Sequence, residues 1–310
     1  MYLKEKTIGT HNGVFHEDDV LAVSLLSILY NNNVIVKRTR KKEILDTCDI
    51  VVDVGCGKYD HHMAGKLQTR ANGIPYSSAG LIWRDFGIEI LKKLYNTNDS
   101  HILFNILRNI DYMLIQPVDK KDNGIEAISP ISFVDSYLPL WTDENENYDE
   151  AFMQVVNVTK EIVNKMILQE IAEEKANEII SRSLNISKAE KSNILFIPKQ
   201  TMPWKNIVLK HNSTQEIYND NNKHIIDFVV FPYPDGGYAA QCVPKTYSDI
   251  FSKRIPFPEE WCGELMNLPS ISGISDAIFC HVNGFFIRAK TKESIIKLCN
   301  KATEIYKMHN

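Results

Sequence analysis

Tyr59-Asp60-His61-His62 sets a carboxylate and two imidazoles in consecutive positions, shortly after an apolar run that ends in Asp53. Packing alone does not explain such a row, because ionised carboxylates are almost never fully buried unpaired. A second polar cluster lies upstream, Gly9-Thr10-His11-Asn12-Gly13-Val14-Phe15-His16-Glu17-Asp18-Asp19, and a third downstream, Val118-Asp119-Lys120-Lys121-Asp122-Asn123-Gly124. Together they offer enough oxygen and nitrogen donors for two divalent metals. Mixed imidazole and carboxylate donors without thiolates suit Mn²⁺ or Mg²⁺, with Fe or Co compatible, better than structural zinc. Two such ions about 3.5–4 Å apart clamp a phosphate, lower the pKa of a bridging water and stabilise the leaving oxygen. The chemistry predicted is two-metal phosphoester hydrolysis, with Asp53 as the shared carboxylate. Histidines bind metal only when neutral, so activity is expected to fall below about pH 6.5.

The elements around these residues read as α/β. Thr7 to Thr10 is a short strand, and Asp18 to Tyr30 is a helix apolar on most sides, so His11 and His16 fall in a strand-to-helix loop. Ligand sites of open α/β sheets lie at the carboxyl ends of strands. Asp18 is read as a metal ligand and Asp19 as a first-turn charge favourable to the helix dipole. Val34-Ile35-Val36 is a second strand, followed by the basic run Lys37 to Lys42, in which Arg38 and Arg40 are candidate contacts to a phosphate backbone. Asp49 to Val54 reads as a third strand, β-branched and buried on both faces as in a parallel sheet. Gly55 and Gly57 form the turn before Asp60, and a polar loop follows to Pro75. Ser77 or Ser78 caps a helix to about Tyr95, and a helix from Ile102 to Leu114 delivers Asp119 and Asp122, at least one of them to metal.

The chain then changes character. The metal-bearing region spans 1–150, a helical region 151–190, and a region of shorter strands 191–310, with Leu184 to Ser192 as a linker. Ile225 to Pro232 and Tyr238 to Val243 form a hairpin on the Asp235-Gly236 turn, and Ala277 to His281 with Phe285 to Lys290 form another. Thr291 to Lys307 is a closing amphipathic helix. In this region Lys245, Arg254, His281 and Arg288, with Trp204, Lys253 and Trp261, are candidates to hold phosphates or stack on bases.

Bulk properties narrow the class. The 310 residues carry a net charge of −4, which argues against a basic protein that coats nucleic acid. None of the six cysteines forms a C-x-x-C pair, so no zinc ribbon or thioredoxin-like motif is expected. Free thiols and a reducing, intracellular compartment (cytoplasm or nucleus) are expected instead. No apolar run reaches the length of a membrane span, and the first motif lies too near Met1 to leave room for a transit peptide.

The set Asp60-His61-His62, His11, His16, Asp18, Asp53 and Asp119/Asp122 resembles that of the DHH phosphoesterase superfamily. More narrowly, the chain resembles the Myg (melanocyte-proliferating-gene) family. The shared stretches are Gly9-Thr10-His11-Asn12-Gly13, Asp49-Ile50-Val51-Val52-Asp53-Val54-Gly55, Ser77-Ser78-Ala79-Gly80-Leu81-Ile82 and Asp122-Asn123-Gly124-Ile125. Further along they are Pro203-Trp204-Lys205, Gln241-Cys242-Val243-Pro244-Lys245 and Ser272-Gly273-Ile274. The resemblance implies a parallel-sheet DHH-type metal domain that is catalytic, a smaller C-terminal α/β substrate-binding domain, and a cleft between them. It implies Mn²⁺-dependent 3′-to-5′ exonuclease action on RNA or other single-stranded nucleic acid, with nuclear and mitochondrial forms in eukaryotes. By the same analogy His11, His16 and Asp53 hold one metal, and Asp18, Asp53, His61 and Asp122 (or Asp119) the other. His62 then donates to the scissile phosphate.

One segment departs from the family. Where its second domain usually carries Gly-Gly-His after Gly284-Phe285, this chain has Ile287-Arg288-Ala289. The close backbone approach that glycine permits is lost there, and Arg288 is offered as the phosphate contact instead. Two other readings fit the residues: a hydrolase of small phosphates such as pyrophosphate, a bisphosphorylated nucleotide or a cyclic dinucleotide, and a non-catalytic metal-bearing interaction protein.

Overall fold

Three parallel strands, β1 (Lys6–Thr10), β2 (Val34–Arg38) and β3 (Ile50–Val51), form a sheet in the order β2-β1-β3. Their carboxyl ends lead towards the polar clusters. The computed structural model describes residues 5–62, 68–217 and 223–309, so part of the loop after His62 lies outside the described residues. The chain divides into two units, Met1–Ile171 and Ala172–Asn310.

In the first unit, α1 (Glu17–Leu29) follows β1 and is buried from Glu17 to Ile28. A short α2 (Lys42–Leu45) leads to β3. The expected third strand is cut short. Only Ile50 and Val51 pair with β1; Val52 makes an isolated bridge to Tyr59, and Asp53 turns left-handed at φ 58°. Side-chain types do not betray this break, because the β-branched run continues while the backbone leaves the ladder. Asp53 N–H bonds to the Tyr59 carbonyl at 3.0 Å instead. Helix α3 (Ser78–Leu94) packs on α1. The next helix also differs from expectation: α4 (Ser100–Ile110) passes through a π-helical turn (Asp111–Ile115) into α5 (Gln116–Asp122). Asp119 and Asp122 therefore sit on a helix. Pro117, which has no N–H to donate, falls directly after the wide turn. One core joins Ile8, Leu21, Leu25, Ile82, Trp83, Ile110 and Val118 to Phe152, Val155 and Val163 at the start of α6 (Tyr148–Ala189).

Helix α6 runs on into the stretch read as a linker and ends only at Ala189. Asn185 and Ser187 look like loop residues, yet Leu184 is in the core and Ser187 Oγ contacts His224 Nε2 at 3.2 Å. The second unit is built on a five-stranded sheet of β4 (Ile194–Phe196), β5 (Phe228–Pro232), β6 (Tyr238–Cys242), β7 (Ala277–Cys280) and β8 (Phe286–Ala289), in the order β4-β5-β6-β8-β7. Strands β4 and β5 are parallel and the other neighbours antiparallel, so both expected hairpins are present. Alternate residues enter opposite cores, as period-2 geometry requires. Ile194, Phe228 and Val230 pack with Ile295 and Leu298 of α9 (Lys292–His309), after a short α8 (Leu268–Ser272). Leu195, Val229 and Phe231 pack with Ile180 of α6 and Val208 of α7 (Lys205–Ile217), a helix the sequence did not announce. The substituted segment is part of the sheet: Ile287 and Ala289 are buried in the core and Arg288 lies on the other face.

Candidate metal centre

The polar clusters of the first unit converge. His11, from the loop after β1, has Nε2 3.2 Å from Asp19 Oδ2 and 3.2 Å from Asp53 Oδ2. His61 Nε2 is 2.8 Å from Asp122 Oδ2, and its Nδ1 is 3.4 Å from Asp53 Oδ1 and 3.9 Å from Asp18 Oδ2. His62 Nδ1 is 3.5 Å from Asp53 Oδ1 and 2.9 Å from Asp60 Oδ1. Asp53 thus touches three imidazoles. Three overlapping sets bring their donor atoms within 4.8 Å of one another: His11, His16 and Asp53; Asp53, His61 and His62; His16, Asp18 and Asp122.

The electrostatics call for cations. Asp18, Asp19 and Asp53 are 0–2% exposed. Among the described residues no lysine or arginine forms an ion pair with them or with Asp122. Asp18 Oδ1 and Asp19 Oδ2 are buried without a hydrogen bond. Burial, then the carboxylates of Asp53, Asp122 and Asp19, push the Asp18 carboxyl well above its usual range. Burial also pushes Asp19 up, against the pull of His11. Burial alone would lower the His11 imidazole, but the carboxylates of Asp19 and Asp53, each 3.2 Å away, overcome that and hold it at about 9. Crowded carboxylates with orphaned oxygens and interleaved imidazoles fit divalent ions of the Mn²⁺ and Mg²⁺ kind.

The supporting groups are those the sequence read as caps. Ser77 is at the N-cap of α3 but makes no cap bond; its hydroxyl donates to Asp119. Ser78 Oγ donates to Asp53 Oδ1 at 3.0 Å and lies 3.3 Å from His61 Nδ1, while its N–H reaches Asp18 Oδ2 at 3.3 Å. A hydroxyl at a helix start signals a cap and a ligand support equally well. Asp19 combines two roles: Oδ1 accepts from the N–H of His16 and of Val20, and Oδ2 faces His11.

Of the two downstream aspartates, Asp122 faces the histidines. Asp119, expected as an alternative ligand, points elsewhere. It accepts from the N–H groups of Ser77 (3.0 Å) and Gly80 (3.1 Å) and pairs with Arg70 at 2.7 Å. It clamps the start of α3. Asp60 serves its own loop, accepting from Cys56 N–H at 2.7 Å and His62 N–H at 3.1 Å.

Of the expected substrate contacts, Arg38 and Arg40 belong to the first unit. Arg38 is near the centre but its side chain is only 2% exposed, because it pairs with Asp149 (2.8 Å), donates to the Gly13 carbonyl (2.7 Å) and lies 4.4 Å over Phe152. It braces the His11–His16 loop rather than presenting a rim charge. Arg40 is exposed. The other candidates belong to the second unit. There Lys245 is exposed, and Arg254 pairs with Glu216 (2.8 Å) and Asp227 (3.2 Å). His281 lies 4.5 Å from the Phe285 ring, and Arg288 lies 3.7 Å over Tyr233 and donates to the Gly236 carbonyl.

Similarity to known proteins shows the family of the chain. A family model named for the MYG1 exonuclease, described as an uncharacterised protein family (UPF0160), matches residues 7–303. The MYG1 exonuclease of Mus musculus is 30% identical over 94% of this chain and 83% of its own length. The MYG1 protein of Dictyostelium discoideum is 29% identical over 96% of this chain and 97% of its own. Among solved structures, RecJ in complex with Mn²⁺ from Thermus thermophilus aligns with 99% of this chain and 52% of that one, at 12% identity and a TM-score of 0.28, too low to support a shared fold. The family match and the names of these relatives define the class, a hydrolytic enzyme of the nuclease type. Within that class, the chain belongs to the MYG1 family.

Proposed function

We propose that this protein is a two-metal phosphodiesterase that trims single-stranded RNA from its 3′ end, with Mn²⁺ as the working ion. The observation that carries it is the convergence of buried Asp18, Asp53 and half-buried Asp122 on His11, His16 and His61 with no lysine or arginine paired to them among the described residues. His11, His16 and Asp53 would hold one ion, and Asp18, Asp53, His61 and Asp122 the second. When bound, such ions supply an activated water and neutralise charge on the phosphodiester. The chain's own groups prepare for that chemistry. Ser78 fixes Asp53 and His61 through its hydroxyl. Asp60 accepts from His62 at Nδ1, which orients the ring; only as an imidazolium would the ring also carry the Nε2 proton that a phosphate oxygen accepts. His62 is suited to meet substrate, since its side chain is 60% exposed on the cavity it lines with His16, His61 and Asp122.

The test is incubation with Mn²⁺ and 5′-labelled single-stranded RNA, beside an Asp53→Ala control. A descending ladder that the control lacks supports a metal-dependent exonuclease of this polarity. Hydrolysis of pyrophosphate or a short nucleotide, with RNA left whole, would replace RNA as the substrate while keeping the centre. Silence on every substrate with metal still bound would overturn the catalytic reading.

A further inference from the structure

A cavity of about 490 Å³ in the second unit has no carboxylate on its wall. It is lined by Lys205, Gln241, Phe251, Lys253, Asn283 and Phe285, among others. Of these residues only Lys253 is among the candidates picked out by sequence, yet two of the shared stretches meet here. Pro203-Trp204-Lys205 buries Trp204 in the core and leaves Lys205 exposed at the start of α7, and Gln241-Cys242-Val243-Pro244 contributes the floor.

The wall combines three kinds of group. Lys205 and Lys253 form no ion pair among the described residues; Lys253 Nζ donates to the Asn283 carbonyl at 2.9 Å and keeps its other protons free. Two cations without a counter-ion on one concave wall create a field for an anion. Phe251 is 86% exposed at the cavity, and Phe285 stands half-buried beside His281. The exposure of Phe251 is built, not frayed. Its loop is tied by the N–H groups of Phe251 (3.2 Å) and Ser252 (3.0 Å) to Asp249 Oδ1, by Asp249 N–H to Thr246, and by the Tyr247 hydroxyl to the Asn206 carbonyl at 2.9 Å. Holding a phenyl ring in water forgoes a burial that folding normally takes. Gln241 and Asn283 add amides that both donate and accept.

A planar apolar face, amide edges and paired cations match one chemical unit, a nucleobase joined to its phosphates. We infer that this cavity is a subsite for one unstacked nucleotide of a single strand, with the base against Phe251 and Phe285 and the flanking phosphates on Lys205 and Lys253. A duplex would not present the base face that the phenyl rings need. This rests on the reading of the protein as a nuclease, and it assigns the grip on the strand to residues other than Arg254 and Arg288, which are engaged inside the fold.

The test is fluorescence anisotropy with a short 5′-fluorescein oligouridylate in EDTA, so that no cleavage intervenes. Phe251→Ala and Lys253→Glu should each weaken binding roughly ten-fold or more. Lys210→Glu, the same charge change at an exposed site of α7 outside the cavity, should bind as the parent does. Circular dichroism confirms that each variant is folded. Parental affinity in both cavity variants overturns the subsite, as does an equal loss in Lys210→Glu, which would mean diffuse charge attraction. The parent's hydrolysis of bis(p-nitrophenyl) phosphate with Mn²⁺ separates the two readings. Turnover without any strand binding overturns the subsite and leaves the metal centre. Cavity-dependent binding without turnover of any substrate upholds the subsite and removes the nuclease.

Discussion

Ser78 decides how the centre is aligned, because one hydroxyl sits against both Asp53 and His61. Groups that orient ligands without ligating typically account for 10–100-fold in metal affinity or rate. Ser78→Ala should therefore raise the Mn²⁺ dissociation constant or lower kcat by about that factor, with far-UV dichroism unchanged; parental kinetics would show that the hydroxyl merely packs. Asp119 and Asp122 separate at the same scale. Asp119→Asn leaves Arg70 paired with Asp111 alone and weakens the charge-assisted bonds from the Ser77 and Gly80 N–H groups, and should cost roughly 2 kcal/mol in urea unfolding. Asp122→Asn should instead abolish the Mn²⁺ response and leave the unfolding free energy in urea within about 0.5 kcal/mol of the parent value. The reverse pattern would exchange their roles. Sequence could not make this distinction. Both residues lie in one short charged stretch, and only the helical phase that follows the π turn aims Asp122 at His61 and Asp119 at Ser77. The donor types themselves were legible, since Asp60-His61-His62 and His11 with His16 have no apolar explanation.

At the scale of elements, the start of α3 is where fold and centre are joined. A Cβ at Gly80 would lie 2.1 Å from Asp119 Oδ2. Gly80→Ala must displace either the helix or the Asp119–Arg70 pair, and a loss of about 2 kcal/mol or more in urea unfolding is expected. The middle of α3 carries a charge clamp, Asp85 with Arg84 and Lys58, each at 2.7 Å. Burial raises the Asp85 carboxyl, but its bonds to Arg84 and Lys58 outweigh that and hold it at about 2. A depressed folded-state value stabilises above the unfolded value of about 3.9 and loses that stability as pH falls through 2. Asp85→Asn should be less stable than the parent at pH 7 by about 1 kcal/mol after solvent screening, with the gap closing between pH 4 and 2. A gap independent of pH would mean that packing, not charge, is at stake. Most elements were readable from periodicity and turn chemistry, the two hairpins and α9 above all. Three were not. Strand β3 ends by a backbone turn inside an unbroken β-branched run, the last turns of α6 look like a polar linker, and α7 carries its apolar residues in too weak a pattern to announce a helix.

For the molecule as a whole, the cluster of carboxylates ties stability to the ion. Asp18, Asp19 and Asp53 are buried together in the first unit, and the Asp18 carboxyl is driven up by burial and by its acidic neighbours. Without a cation those charges oppose folding; in the unfolded chain they separate and regain water. An ion that binds only the folded state stabilises by RT ln(1 + [M]/Kd), about 2.7 kcal/mol at a hundred times Kd. Calorimetry should therefore show the unfolding temperature of the first unit rising with Mn²⁺ and returning on addition of EDTA. Asp53→Ala removes the carboxylate that touches three imidazoles, so its unfolding temperature should no longer respond to the ion. The variant also relieves crowding, and its metal-free form is expected to be no less stable than the metal-free parent, despite the lost bond from Ser78. A parent insensitive to Mn²⁺, Mg²⁺ and Co²⁺ alike would mean that the carboxylates are satisfied by shared protons and the histidines alone, and the centre would not be a metal site.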